Sequence, residues 1–156
     1  MSGILNTRIK KLMKGYPTVS DKYDVTGGTL DTASAAIGFG TVMAYTSVDG
    51  VYTPITSATT TAQVVGVALS PNVKLTDSWH SATSETLIQP GEAVNLCFNG
   101  FMAVEVASAV AAAVTPGTKV GLTLGALVVA GTDNALTGWY FTGCVEGTLV
   151  EIEIRR

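Results

Sequence analysis

The stretches VVGVAL (64–69), EAVNLCF (92–98) and FMAVEV (101–106) decide the fold class of this chain. The first is a continuous run of apolar, largely β-branched residues, which favour the pleated surface of a strand. Pro90-Gly91 opens the second stretch, because proline presets φ and glycine accepts a positive φ in a turn. Asn99-Gly100 separates the second stretch from the third, and this residue pair is typical of a hairpin turn. The pattern predicts a compact antiparallel β-fold.

The composition of the 156-residue chain favours the same fold class. Val, Thr, Ala and Gly account for 76 residues; Val and Thr favour strands, and Gly supplies turns. We therefore predict a mainly β domain, a small antiparallel β-barrel or β-sandwich. Ala107–Val114 is predicted to form one or two helical turns, and Glu146-Gly147 to turn the last hairpin. The predicted strands are Thr41–Tyr45, Val64–Leu69, Thr86–Gln89, Glu92–Phe98, Phe101–Val106, Thr118–Leu124, Ala126–Ala130, Gly138–Val145 and Thr148–Arg155.

The surface of the chain is poor in charge. Only 13% of the residues are charged, and the mean hydropathy of +0.38 is high for a soluble monomer. Part of the surface is therefore predicted to be buried against other chains in a symmetric oligomer. No apolar run approaches the ~20 residues of a membrane-spanning helix, and basic residues occupy the place of a signal peptide's apolar region. The sequence predicts no membrane partner and synthesis in a cytoplasm.

The charges are segregated along the chain. Residues 1–22 carry five basic groups and one acid, a net charge of +4, whereas residues 23–156 carry four basic groups and eleven acids, a net charge of −7. We predict a basic N-terminal arm over residues 1–34 and a β-barrel-like domain over residues 35–156. Within the arm, the apolar spacing predicts a short amphipathic helix over Ile4–Lys14. The Thr-, Ser-, Asp- and Gly-rich residues 15–40 are predicted to be irregular and extended.

The arm supplies the candidate binding residues. An apolar stripe on one face of the predicted helix has to dock on a partner, since about three helical turns are marginal alone in water. The basic groups are compatible with nucleic acid, but the acidic body repels phosphate, and an acidic protein surface is favoured as the partner. The candidate residues are Leu5, Arg8, Ile9, Lys10, Lys11, Leu12, Met13 and Lys14.

Residues suited to catalysis are scarce. His80 is the only histidine, and no nucleophile elbow surrounds it. The closest carboxylate pairs, Asp21/Asp24 and Glu151/Glu153, are interpreted as solvated acids or partners of lysine. Cys97 and Cys144 lie 47 positions apart and form no zinc motif; both are predicted to be reduced and buried. The sequence therefore predicts no enzyme, no cofactor and no metal.

The order of the short motifs in the body resembles a known family. The matching pattern consists of GFGTV (38–42), VGVAL (65–69), QPGEAVN (89–95), the strand at 100–106, VTPGTKV (114–120) and LVEI (149–152). In this order and spacing, over residues 35–154, the chain resembles the head-decoration, or structural cement, proteins of tailed bacteriophages. The long basic arm before Ala35 departs from that pattern.

The resemblance implies a β-tulip-like barrel domain that forms a homotrimer and binds the outer surface of a phage capsid. The implied partners are the major capsid protein and further copies of the chain, and the implied location is the virion exterior. The family supplies no catalytic residue to carry over. One other binding hypothesis stays open: a phage tail, fibre or adhesin module that binds glycans, for which Trp79, Trp139 and Tyr140 are the available aromatic platforms.

Overall fold

In the computed structural model, residues 12–18, 23–69 and 87–156 are described, and they form a mainly β structure, as predicted. Within these ranges, a single α-helix, α1 (Ser108–Ala113), and a 3₁₀ turn at Thr61–Gln63 interrupt the strands. The strands are β1 (Tyr23–Leu30), β2 (Val42–Tyr45), β3 (Val51–Pro54), β4 (Val64–Ala68), β5 (Ala93–Glu105), β6 (Lys119–Thr123), β7 (Ala126–Val129), β8 (Ala135–Glu146) and β9 (Leu149–Ile154). No helix among the described residues is long and apolar enough to cross a membrane.

The nine strands form one sheet with the order β1-β3-β2-β4-β5-β9-β8-β6-β7. The sheet is antiparallel except where β1 runs parallel to β3. β1 also pairs with β5, so the first five strands close on themselves into a partial ring. The remaining strands extend from β5 and end at β7, which pairs with β6 alone among the described strands.

β5 is shared by both halves of the sheet. Gly100, near its centre, pairs with Tyr23 of β1 on one edge and with Ile154 of β9 on the other. Before Gly100, β5 lies between β1 and β4; after it, β9 takes the place of β4. The edge opposite β9 is covered by residues 15–18, where Pro17 bridges Met102 and the Thr18 N–H donates to the Phe101 carbonyl at 3.0 Å. The beginning of the described chain therefore runs along one whole edge of β5.

Two hydrophobic cores lie on opposite faces of the β2, β4 and β5 layer. In β4, Val64 and Val67 face the larger core, whereas Val65 and Ala68 face the smaller one. The smaller core fills the ring and contains Leu30 and Tyr52. The larger core is enclosed by β5 to β9 and α1. Both faces of this layer are buried, which explains why the 64–69 stretch is apolar throughout instead of alternating.

Three predictions about strands were wrong. Residues 23–30 form β1 and belong to the sheet, although residues 15–40 were predicted to be irregular. Asn99-Gly100 does not turn a hairpin but lies inside the long strand β5, and Val51–Pro54 forms an unpredicted strand. For the predicted strand Thr86–Gln89, the described part contributes a single bridge, Ile88 to Ile37. The final hairpin and the short helix after β5 are confirmed.

The acids of β9 also differ from the prediction that they are solvated or paired with lysine. Glu151 is 1% exposed and accepts a hydrogen bond from the Thr142 hydroxyl at 2.6 Å. Only Glu153 reaches solvent, where it pairs with Arg155 at 2.7 Å. The side chain of Glu151 is therefore a structural group, held by β8.

The two cysteines are free thiols, as predicted, but only Cys97 is buried. The pairing of β8 with β9 is irregular between Phe141 and Val145. Gly143 within this bulge has φ +91°, and a bulge re-aims the side chains next to it. Cys144 is exposed as a result, and the prediction that both cysteines are buried was wrong for this residue.

The different environments of the thiols predict selective alkylation. Burial raises the pKa of Cys97 to about 11, so at pH 8 its thiolate fraction is about one in a thousand. Iodoacetamide at pH 8 is expected to label Cys144 and to spare Cys97, as read by peptide mass spectrometry. In urea both should react, which serves as the control. Labelling of both residues at equal rates in the native protein would contradict the burial of Cys97.

Candidate functional site

The candidate binding residues were predicted to lie on one helix, and the structure describes three of them. Leu5, Arg8, Ile9, Lys10 and Lys11 lie outside the described residues. Leu12, Met13 and Lys14 are described, and none of them is helical, so the predicted helix over Ile4–Lys14 does not extend to its last three positions. We refer to residues 12–18 as the anchor segment, because their contacts hold them to the β-body.

Leu12 packs on the protein itself. Its side chain is 4% exposed, and its backbone N–H donates to the Glu146 carboxylate Oε2 at 3.0 Å. Glu146 is the last residue of β8, at the turn of the final hairpin. The apolar residue that was predicted to bind a partner therefore docks on its own chain instead.

The charge of Lys14 is also paired within the chain. Its Nζ lies 3.1 Å from Glu105 Oε2, at the C-terminal end of β5. The side chains of Lys14 and Glu105 are 35% and 53% exposed, so the solvent screens this pair. A basic residue of the arm therefore forms an ion pair with an acidic residue of the body, in agreement with the opposite net charges of the two parts.

Two glycines allow the anchor segment to approach the body closely. Gly15 has φ +79°, its N–H donates to the Ala103 carbonyl at 3.3 Å, and it packs against the backbone of Phe39 and Gly40. Gly40 also has φ +79° and packs against Lys14 and the backbone of Gly15. A Cβ at either position would overlap the other segment. The contact therefore depends on glycine on both sides.

These contacts predict which side chain stabilises the anchor segment most. Replacing the buried Leu12 by Ala is expected to lower the free energy of unfolding by about 2 kcal/mol. Replacing Lys14 by Ala should lower it by less than about 1 kcal/mol, because the ion pair is exposed. Urea unfolding of the full chain measures both values. An equal or larger effect of Lys14→Ala would show that charge, not burial, holds the segment.

An open cleft of about 340 Å³ lies beside the anchor segment. Val42, Ile55, Val106 and Leu127 contribute apolar walls. The two charged residues that line the cleft, Lys14 and Glu105, are paired with each other. The cleft therefore combines apolar walls with polar groups, among them those of Gly40 and Thr41, and its described charges are paired.

Comparison with known proteins identifies the family. Residues 5–155 match the family model described as structural cement protein (E217 gp24/Pam3 gp6). The chain belongs to this family. It is a structural component of the phage virion that stabilises the capsid, which confirms the resemblance found in the sequence. A search of curated proteins gives no match.

One solved structure shows the same fold as this cement protein. A chain of "The capsid of Myoviridae Phage XM1" has a TM-score of 0.66 at 12% identity, with 100% of this chain and 99% of that chain covered. A chain of "The crystal structure of head fiber gp8.5 N base in bacteriophage phi29" has a TM-score of 0.45 at 12% identity, with 85% of this chain and 93% of that chain covered.

Three carboxylates of the pairs considered for catalysis have partners within the cement protein. Asp24 accepts a hydrogen bond from Asn99 Nδ2 at 2.7 Å, and the Glu151 and Glu153 side chains contact Thr142 and Arg155. Residues 12–18, 23–69 and 87–156 contain no group of three or more potential metal ligands. His80 and Asp21 lie outside the described residues.

The aromatic platforms of the glycan-binding hypothesis are not available on the described surface. Trp139 is 3% exposed and belongs to the larger core. Tyr140 is covered by the Arg155 guanidinium, 4.6 Å from the ring centroid, and Trp79 lies outside the described residues. A sugar-binding site needs an exposed ring face, so these contacts favour the capsid-stabilising role over glycan binding.

The sequence did not identify the body residues that receive the anchor segment. Glu105 and Glu146 are far from the arm in the chain, and Gly40 resembles an ordinary turn glycine. Their only signal in the sequence is the opposite charge of arm and body, which predicts attraction without naming the partners. These contacts depend on the tertiary arrangement of β5 and the final hairpin, which the sequence does not specify locally.

Proposed function

We propose that this cement protein binds the outer surface of the capsid as a homotrimer and contacts the major capsid protein through the residues that precede Leu12. The single observation that carries the proposal is the family match over residues 5–155. The low content of charge supports an oligomer, and the resemblance to the family supports the number three. Its role is structural and non-catalytic.

The contacts of the anchor segment support a capsid contact by the residues before Leu12, because they attach these residues firmly to the β-body. Leu12 is buried, Lys14 is paired, and Gly15 is packed on Gly40. Any contact made by the preceding residues is therefore connected directly to β5. Arg8, Lys10 and Lys11 carry charge toward an acidic partner, while Leu5 and Ile9 supply apolar side chains.

Burial of the apolar side chains is expected to determine how long the protein stays bound to the capsid. A fully buried Leu or Ile side chain contributes roughly 1.5–3 kcal/mol, whereas an exposed ion pair contributes about 0–1 kcal/mol. Charge attraction mainly raises the rate of encounter. A protein that binds only the assembled shell stabilises it by mass action, and many copies make an array of weak contacts strong.

Deletion of residues 1–11 tests the proposed capsid contact. The truncated protein retains the anchor segment, so it should fold like the full chain and fail to sediment with capsids. A chain with Leu5→Ser and Ile9→Ser should lose more binding than one with Arg8→Gln, Lys10→Gln and Lys11→Gln. High salt should weaken binding of the full chain only in part. Capsid binding by the truncated protein at full stoichiometry would place the contact on the β-body.

A further inference from the structure

Leu124 combines two unfavourable features at the tip of the β6–β7 hairpin. It is the one described residue other than glycine with a positive φ, +48°, and it is 80% exposed. Together with Gly125, at φ +75°, it forms a two-residue turn between the paired Thr123 and Ala126. Positive φ at both positions defines a type I′ turn, in which Asn-Gly is the favoured sequence. A leucine at this position is both conformationally strained and exposed to water.

The hairpin lies next to the apolar cleft and at the open edge of the sheet. Gly125, Ala126 and Leu127 line the cleft, and the exposed Leu124 precedes them in the chain. β7 pairs only with β6 among the described strands, and an exposed edge strand is a template for association with another chain. A projecting apolar side chain and an apolar recess are therefore adjacent on one molecule.

The distribution of charge favours a second copy as the occupant. No charged residue occurs between Val120 and Ala130, and Lys14 and Glu105 at the cleft neutralise each other. Two copies of a chain with a net charge of −3 repel each other least where both faces are neutral. Burying this surface leaves no unpaired charge, which is the costly outcome in an interface.

We infer that Leu124 of one copy inserts into the cleft of a second copy, between Val42, Ile55, Val106 and Leu127, and that this contact holds the oligomer together. The inference rests on the proposed oligomer and names its interface. It is independent of the residues that contact the shell.

Substitution at Leu124 separates an interface role from a structural role. Leu124→Asn creates the favoured Asn-Gly turn and removes the projecting side chain. Sedimentation velocity over a dilution series, without capsids, should show a dissociation constant raised about tenfold or more. Urea unfolding at a concentration at which both proteins are monomeric should show equal or greater stability of the variant, because the strain is relieved. A leucine needed only for folding would lower the stability instead.

Two further variants complete the test. Ala126→Lys introduces a charge at the cleft and lowers the net negative charge of the chain, so long-range repulsion decreases. We nevertheless expect weaker association, since the lysine would be buried without a partner. Val48→Ser removes a 59% exposed apolar side chain at the β2–β3 hairpin and should leave association unchanged.

Three outcomes would overturn the inference. If wild type associates and Leu124→Asn associates equally well, the interface lies elsewhere while the proposed oligomer stands. If wild type is monomeric at all concentrations, the self-association proposal fails, and capsid sedimentation decides separately on the shell contact. If Leu124→Asn reduces only capsid binding, the side chain inserts into the shell protein and not into a second copy.

Discussion

Deletion of residues 1–34 is expected to unfold the protein. The sequence alone assigned these residues to an arm outside the β-barrel-like domain. In the structure, β1 pairs with β5 from Tyr23 to Thr29 and with β3 at Thr29 and Leu30. Leu30 is fully buried in the smaller core, and burial of a leucine of this kind contributes about 2–5 kcal/mol.

The loss of the β1 ladder adds to the loss of Leu30 and opens the ring of the first five strands. The sum is comparable with the ~5–15 kcal/mol that separates a folded domain from its unfolded state. Far-ultraviolet circular dichroism and size-exclusion chromatography measure the outcome, with the 1–11 deletion as the matched control. A cooperative, folded 35–156 fragment would show that β1 is dispensable.

Gly66→Val is expected to have the second largest effect. Gly66 lies in the middle of β4, where a Cβ would overlap the Cys97 carbonyl of the neighbouring strand. The obstacle is the β5 backbone at Cys97 and Phe98, so no side-chain rotation relieves the overlap. Forcing extra volume into this layer should lower the free energy of unfolding by about 3 kcal/mol, as measured by urea denaturation.

Gly27→Val provides the matched control. Gly27 lies in β1, also without a positive φ, and a Cβ there would meet only Asn95 Oδ1, at 3.5 Å. Valine favours strands, so the change in stability should stay within about 0.5 kcal/mol. Equal destabilisation by the two substitutions would refute the close approach of β4 and β5 as the reason for Gly66.

The fold class was predictable because its strongest signals are local. The apolar stretch at 64–69 forms the central strand β4, and the glutamate-glycine turn at 146–147 joins β8 and β9. The short helix after β5 precedes Pro116, as the alanine-rich composition indicates. Such elements need only the chain near them to specify their type.

β1 was missed because its reason for being a strand is remote. The sequence YDVTGGTL has two consecutive glycines and little alternation, so it resembles a linker. Gly28 fits the close approach of Tyr52 and Gly50, and the pairing partner, β5, lies some 70 residues further along the chain. Contacts of this separation leave no periodicity in the sequence.

The turn predicted at Asn99-Gly100 failed for a related reason. Asn-Gly is a strong local hairpin signal, but here Gly100 pairs on both edges, with Tyr23 and Ile154. Its φ of +125° and the irregular register between Asp24 and Val25 absorb the local preference within a continuous strand. Tertiary pairing thus overrides the turn propensity.

The sequence singled out Leu12 and Lys14 as contact residues, but it did not predict that they contact the protein's own β-body. The apolar and basic residues were predicted to bind a partner, whereas the structure shows Leu12 buried and Lys14 paired within the chain. The sequence did not point to the protein's own Glu105 and Glu146 as the acids that meet this segment, because both lie far along the chain from it. The contributions of Leu5, Arg8, Ile9, Lys10 and Lys11 stay predictions.

The two ladders along β5 have a mechanical consequence. Pro17 pairs with Met102 and Tyr23 with Gly100, so the chain takes six residue steps where β5 takes two. A force that pulls on the N-terminus detaches residues 12–18 from the β-body before it acts on β1. Seven released residues supply at most about 25 Å of extended chain, while β1 still closes the ring. If the residues before Leu12 bind the shell, as we propose, the protein can follow a displacement of the shell while its β-body stays folded.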